Sequence, residues 1–330
     1  MEVIGGIQTI ATGFNLDHIP AVLTDEEMFH YSSSIWAGPG APVDTPRMHV
    51  GLTDGTNTAN FLLSTMIAGW TGPKRLCINP AIYLRLANPA AGGNQNLGYK
   101  GLITKLGGGP SNVISNVIPL AGAGLGIDTV LIRPPIGEAF RIDALGSDTW
   151  VGGAGVSLPN ILVEIGNGTI WANVMNGLNT QLWFADNLKL FINNAIYLRI
   201  TNLAVGAAVV GWSGQRIQAY GSGTGNVMSA IATVLAGGLS IAIRPTTATE
   251  QWIVTGIFSN VPAGGAPNQL PDIGVENSNA AILSLMARNS DVDYWLHGFE
   301  IPVSNANFVM LTDTSAGGAN LAYSALRTRL

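Results

Sequence analysis

Charged side chains are scarce in this chain. Of its 330 residues, 11% are Asp, Glu, Lys or Arg, against about 25% in ordinary globular domains. A monomer that met water over its whole surface would use more, so the surface is expected to be covered in part by neighbours and otherwise built from Asn, Thr, Ser and Gly. The net charge of −5 is mild and long runs of either sign are lacking, which argues against a nucleic-acid partner. The single cysteine, Cys77, excludes an intrachain disulfide and a cysteine metal cluster; its expected role is a small apolar residue inside a strand. Few windows place apolar residues at i, i+3, i+4 and i+7 without an interrupting Gly or Pro, so at most short helical turns are expected. Met1-Glu2-Val3 does not begin the basic-then-apolar order of a secretory signal, and none is expected. The uncharged stretch Val227 to Ile243 approaches the ~20 apolar residues of a membrane span. Its counterpart one repeat earlier, Val113 to Ile132, contains Pro119 and Asp128, so both are expected to be buried strands and no membrane is expected as a partner.

Convergent polar chemistry is also sparse. The histidines, His18, His30, His49 and His297, include no pair at a metal-ligand spacing. Asp25-Glu26-Glu27 and the pair Asp291 and Asp293 have ligands for a hard cation, but read more simply as solvated loops. Gly122 to Gly126 and Gly221 to Gly225 lack the Gly-Lys-Ser/Thr ending of a phosphate loop, and no credible helix follows either. A Gly-x-Ser-x-Gly elbow is missing, and Asn167-Gly168-Thr169, a glycosylation sequon in form, reads as a hairpin turn. No catalytic residue, metal site or cofactor is therefore assigned, and an enzyme is not expected. The eight tryptophans suit core, interface anchors or sugar-stacking platforms; Trp252 falls in a repeated apolar pattern and is expected to be buried.

What the chain does contain is a repeat. Ile78 to Asn88 (Ile-Asn-Pro-Ala-Ile-Tyr-Leu-Arg-Leu-Ala-Asn) returns as Ile192 to Asn202 (Ile-Asn-Asn-Ala-Ile-Tyr-Leu-Arg-Ile-Thr-Asn), and again in worn form as Val303 to Asp313. From Ile78 to Ile192 is 114 residues and from Ile192 to Val303 is 111, a domain-length period. Around each copy lie matching runs. Ile132-Arg133-Pro134-Pro135 leads to Phe140-Arg141-Ile142, as Ile243-Arg244-Pro245 leads to Trp252-Ile253-Val254. Strands then end at turn signals, Asp54-Gly55, Asn167-Gly168 and Asn277, where Gly and Asn accept positive φ. Seven or eight short strands per repeat predict an all-β chain of three tandem antiparallel sandwiches. The expected divisions are 1–106 for a divergent first sandwich, 112–220 for the second and 226–330 for the third, joined by glycine-rich linkers at 107–111 and 221–225.

Within the repeated stretch the period is two. Leu84, Leu86, Leu198 and Ile200 are expected to face the core, with Tyr83, Arg85, Tyr197 and Arg199 on the other face, where Arg can stack on an aromatic or pair with a carboxylate. Asn79, Asn88, Asn193 and Asn202 suit the strand ends. The last copy carries Phe308 and Met310 where the others carry Tyr and Arg. A Tyr-Arg ligand site is therefore the less favoured reading, and Tyr83, Arg85, Asn88, Tyr197, Arg199, Asn202, Phe308 and Met310 are assigned as framework.

The opening Arg133 to Ile142 and the closing Asn194 to Asn202 together resemble the small jelly-roll domains of tailed-phage virion accessory proteins, such as head-decoration or cement and head-fibre proteins. The resemblance is clear over the middle copy, fair over Ile243 to Arg329 and weak at the front of the first. It implies an eight-stranded sandwich that acts in capsid or fibre assembly without a cofactor, and it carries no functional residue. The expected function is thus a bacteriophage decoration protein made in the host cytoplasm, oligomeric or lattice-bound on the outer capsid surface, whose partner is the major capsid protein or another virion protein. The alternatives are a receptor-binding module for a host glycan and a shell-forming jelly-roll capsid protein.

Overall fold

A computed structural model of the chain describes residues 2–11, 15–18, 27–37, 48–64, 68–70, 76–88, 94–105, 112–122, 128–147, 161–176, 184–185, 187–203, 206–217, 226–234, 240–260, 272–277, 282–286, 293–312 and 319–329. Its strands fall into three sets of matching order. The first is β1 (Glu2–Ile10), β2 (Asn15–His18), β3 (Glu27–Ala37), β4 (Met48–Thr53), β5 (Thr58–Ser64), β6 (Ala68–Trp70), β7 (Leu76–Ile78), β8 (Tyr83–Ala87) and β9 (Gln95–Lys105). The second is β10 (Asn116–Leu120), β11 (Asp128–Ile132), β12 (Ala139–Ser147), β13 (Ile161–Gly166), β14 (Trp171–Asn176), β15 (Phe184–Ala185), β16 (Leu190–Asn193), β17 (Tyr197–Asn202) and β18 (Ala208–Ile217). The third is β19 (Ala230–Val234), β20 (Ser240–Ile243), β21 (Gln251–Asn260), β22 (Asp272–Asn277), β23 (Ile282–Met286), β24 (Asp293–Ser304), β25 (Asn307–Thr312) and β26 (Ala319–Arg329).

Each set makes two antiparallel sheets. With the strand positions lettered B to I in chain order, the last set pairs β19-β26-β21-β24 and β20-β25-β22-β23, the B-I-D-G and C-H-E-F sheets of a jelly roll. The middle set repeats this as β10-β18-β12 with β15 and β16 sharing the G position on β12, facing β11-β17-β13-β14. In the first set β1-β9-β3 carries β6 and β7 at G, and the other sheet runs β2-β8-β4-β5. The fold is three tandem all-β jelly-roll sandwiches. Two irregularities recur in all three. The D strand is bulged between Tyr31 and Ser33, Ile142 and Ala144, and Val254 and Gly256; the E strand shifts register against F between Val50 and Gly51, Val163 and Glu164, and Ile273 and Gly274. An extra residue at a fixed place increases the local twist, so each sheet bends at the same point.

Alternation builds the cores. Leu84, Leu86, Leu198, Ile200, Val309 and Leu311 are fully buried beneath their sheets and meet Ile78, Leu145, Val210, Val254 and Leu321 from the facing ones. Trp252 is buried in the last core. The stretches Val113 to Ile132 and Val227 to Ile243, expected as buried strands, are instead edge strands: β10, β11, β19 and β20 each end a sheet. Accordingly Pro119, Ser240 and Ala242 are exposed, and Leu131 is half exposed. Edges also tolerate the missing N–H of Pro119.

Both expected linkers, residues 107–111 and 221–225, lie outside the described residues, as do Asp25, Glu26 and Asp291. The cores are not three closed units. Val117 and Ala144 of the middle sandwich belong to the first core, and Phe258 and Ala322 of the last belong to the middle core. The β5 edge of the first sandwich also joins β12 through Asn60 and Ser147, so that one sheet continues across the joint.

Candidate functional site: the repeated strand and the sandwich joints

The H strand and the turn before it are held by short-range polar contacts. Oδ1 of Asn79 accepts from the backbone N–H groups of Ala81 (3.0 Å) and Ile82 (2.8 Å), and Oδ1 of Asn193 from Ala195 (2.9 Å) and Ile196 (2.8 Å). These are Asx turns. At the far end of the strand Asn88 and Asn202 are fully buried and do something different. Asn88 Nδ2 donates to the Ile10 carbonyl (3.0 Å), and Asn202 Nδ2 to the carbonyls of Ala121 (3.0 Å) and Gly206 (2.9 Å). The amide ties the end of H to the end of B in the opposite sheet, and in the middle sandwich also to the segment that leads into I.

The side chains on the outer face of H form a different cluster in each sandwich. In the middle one, Tyr197 is buried beneath Arg133, whose guanidinium lies 4.6 Å from the ring centre, and meets Trp171 edge-on at 5.5 Å. Arg199 lies 4.0 Å over Trp171 and donates from Nε to Glu164 Oε2 at 2.7 Å. In the last sandwich Arg244 covers Phe308 at 4.6 Å. Arg133 and Asn194, from the two motifs that carry the family resemblance, interlock. Arg133 Nε donates to the Asn194 carbonyl (2.9 Å) and Asn194 Nδ2 to that of Pro134 (2.9 Å), a contact repeated by Asn305 and Pro245 (3.0 Å).

The residue opposite each signature position explains its variation. Arg199 pairs across the ladder with Glu164 on strand E, whereas Arg85 and Met310 face Gly51 and Gly274 there; Arg85 faces Asp17 on strand C instead and donates to the Thr58 hydroxyl at 2.9 Å. The tyrosine hydroxyl sits under the E–F turn. A Cβ on Gly168 (φ +96°) would lie 2.7 Å from Oη of Tyr197, and one on Gly55 (φ +93°) 2.9 Å from Oη of Tyr83. The last copy has no glycine in Asn277-Ser278-Asn279 and carries Phe308, which has no hydroxyl to house. In the first turn the Asp54 carboxylate accepts from the backbone and amide of Asn57 and the backbone of Thr56, contacts that hold it below the usual carboxylate range.

Glu164 is 5% exposed. Arg199→Met, which copies the last sandwich, would strand that carboxylate without a cation. A loss of about 2 kcal/mol is expected, below the ~3–5 of a fully buried pair because Arg199 is about one-third exposed. Adding Glu164→Gln is expected to recover part of the loss in urea denaturation; a double variant no more stable than the single would show that the stranded charge is not the cause.

The joints between sandwiches are built by side chains that the signature does not include. Ser213 Oγ accepts from the Cys77 N–H (2.6 Å) and Ser115 Oγ donates to the Cys77 carbonyl (2.5 Å). One repeat later Ser324 Oγ accepts from the Phe191 N–H (2.8 Å) and Ser229 Oγ donates to the Phe191 carbonyl (2.6 Å). One hydroxyl from strand I and one from the residue just before strand B thus grip one G-strand residue of the preceding sandwich. Near the first grip the packing is close: a Cβ on Gly211 would meet Ala59 Cβ at 2.6 Å. Ser115 and Ser229, and Ser213 and Ser324, were detectable as aligned pairs in the repeat, but a lone serine in a strand has no chemical signature of its own.

Among the described residues no group of three or more His, Cys, Asp or Glu comes together, and no helix is long and apolar enough to cross a membrane. No protein-family model and no curated protein matches the sequence. Among solved structures, a chain from Sulfolobus Turreted Icosahedral Virus is 9% identical with a TM-score of 0.24, over 98% of this chain and 91% of that one. A chain from an archaeal virus described by its triple jelly roll fold and turret assembly is 8% identical with a TM-score of 0.27, over 99% and 90%. The major capsid protein P2 of Bacteriophage PM2 is 9% identical with a TM-score of 0.29, over 64% of this chain and 97% of that one.

Proposed function

We propose that the chain is a structural protein of a virus particle, attached to the outer surface of the capsid as a decoration or cement subunit that bridges neighbouring capsomers. The observation that carries this reading is the fusion of three jelly rolls through shared cores, which presents three related surfaces at fixed spacing. On a symmetric lattice such surfaces meet repeated partners together, so that weak contacts act at high effective concentration. The chemistry is burial and not catalysis; binding the assembled state alone stabilises it by mass action. Scarce charge leaves surface that gives up water cheaply, and the resemblance of the two interlocked motifs to virion accessory domains points the same way.

Particles that lack the chain are expected to lose heat and osmotic resistance and to regain it when the purified chain is added to empty capsids. Unchanged resistance together with no binding would sink the reading. Because charge is scarce along the whole chain, a shell-forming role is the second reading, and the copy number per particle separates the two. Ile136 is the proposed contact point. It is 88% exposed in a turn closed by the Glu138 N–H on the Pro135 carbonyl (3.0 Å), followed by Gly137 at φ +88°. Ile136→Asp is expected to weaken capsid binding at least about tenfold, the scale of a desolvated anchor worth over 1 kcal/mol, and to leave thermal stability unchanged. Binding at full strength would show that the contact lies elsewhere.

A further inference from the structure

The serine grip can be followed in register to both ends of the array. At the D-strand bulge, Ala144 pairs with Ser213 and Gly256 with Ser324; in the first sandwich Ser33 pairs with Lys100. Lys100 therefore holds the position of the accepting serine. Gly5, paired with Lys100, holds that of the donating one. At the other end, Cys77 pairs with His30 and Phe191 with Arg141, each one residue before the last regular pair ahead of the bulge; the matching partner of Ile253 is Pro302. The gripped residue there is a proline, which has no N–H to give.

Both halves of the grip are thus changed on the outer sides of the first and last sandwiches. Ser213, Ser324 and Cys77 are fully buried and Phe191 nearly so, whereas Lys100 and Pro302 are exposed. The substitutions suit that exposure. A hydroxyl both accepts and donates, but an ammonium only donates, and burying it in such a joint would strip its water. A head-to-tail interface that does not close on itself continues into a filament unless its ends are altered, as the polar caps of repeat proteins are. We infer that the paired serines are the docking determinant between sandwiches, and that Gly5, Lys100 and Pro302 close the array at three so that chains do not join end to end. Lattice contacts between copies would then use other surfaces.

Two full-length variants test this, Gly5→Ser with Lys100→Ser in one and Pro302→Phe in the other, each with a dye near its altered end. Fluorescence transfer between dyes on β9 of one chain and β24 of another is expected when the two are mixed, and not for the unaltered chain or for either variant alone. Independently, Ser115→Ala with Ser213→Ala is expected to speed hydrogen exchange of the Cys77 amide at least tenfold while that of Phe191 stays as it was. Mixed variants that remain apart, Cys77 exchange that does not change, or unaltered chains that join end to end would each overturn the proposal.

Discussion

Phe258→Ala is expected to destabilise the chain by about 3–5 kcal/mol, the range for removing a large buried aromatic, and to loosen two sandwiches together. Phe258 is a residue of strand D in the last sandwich, yet its fully buried ring lies in the core that Leu190, Ile192 and Leu198 form in the middle one. Gly256 makes room for it, since a Cβ there would fall 2.5 Å from the ring's Cζ. The vacated space borders a sheet from each side of the joint and cannot collapse without parting them. Guanidinium unfolding should show the loss, and methyl resonances of Leu190 and Ala322 should shift together. A loss below about 1 kcal/mol, typical of an ordinary surface change, would mean that the ring is not part of the shared core.

Gly146→Val is expected to cost about 3 kcal/mol or more, at the upper end of overpacking. A Cβ at Gly146 would lie far inside contact with the Asn60 carbonyl oxygen and 3.1 Å from the Phe61 ring. The obstacle is backbone, and it belongs to β5 of the first sandwich, the strand that pairs with Ser147, so relief requires the joint to open. Protease cutting between the first and middle sandwiches should rise with the loss of stability. Gly137→Ala is the control: its φ is +88° but a Cβ would meet nothing within 4 Å, so only backbone strain of about 1 kcal/mol is expected. Equal losses at the two sites would remove the argument from close approach.

The strands were legible because alternation is a local signal: Leu84, Leu86, Leu198 and Ile200 could only be buried if Tyr-Leu-Arg-Leu and Tyr-Leu-Arg-Ile were extended. The triple repeat added long-range information, since equal positions must share an environment. Edge and centre were not legible. Val113 to Ile132 and Val227 to Ile243 are rich enough in apolar residues for a central strand, and only the pairing order places them at the margins. The partners of the signature were hidden as well. Arg199 meets Glu164 across strands E and H and Trp171 from beyond the E–F turn, and neither partner lies near it in sequence. The joints were the least visible, because glycine and serine in a strand read as weak strand formers until the backbone pressed against them is seen.

The pairing order also governs when each part can form. Strand I is the last segment of every sandwich, yet it lies between B and D: β9 between β1 and β3, β18 between β10 and β12, β26 between β19 and β21. A chain emerging from the ribosome therefore cannot finish a sheet until that closing segment has been released, and the face that shields Phe61 needs β18, over a hundred residues downstream. The first sandwich must wait with an apolar edge in water, a period in which a nascent chain is most prone to aggregate. Slowing synthesis between residues 105 and 217 should lower the soluble yield more than the same delay placed after residue 217.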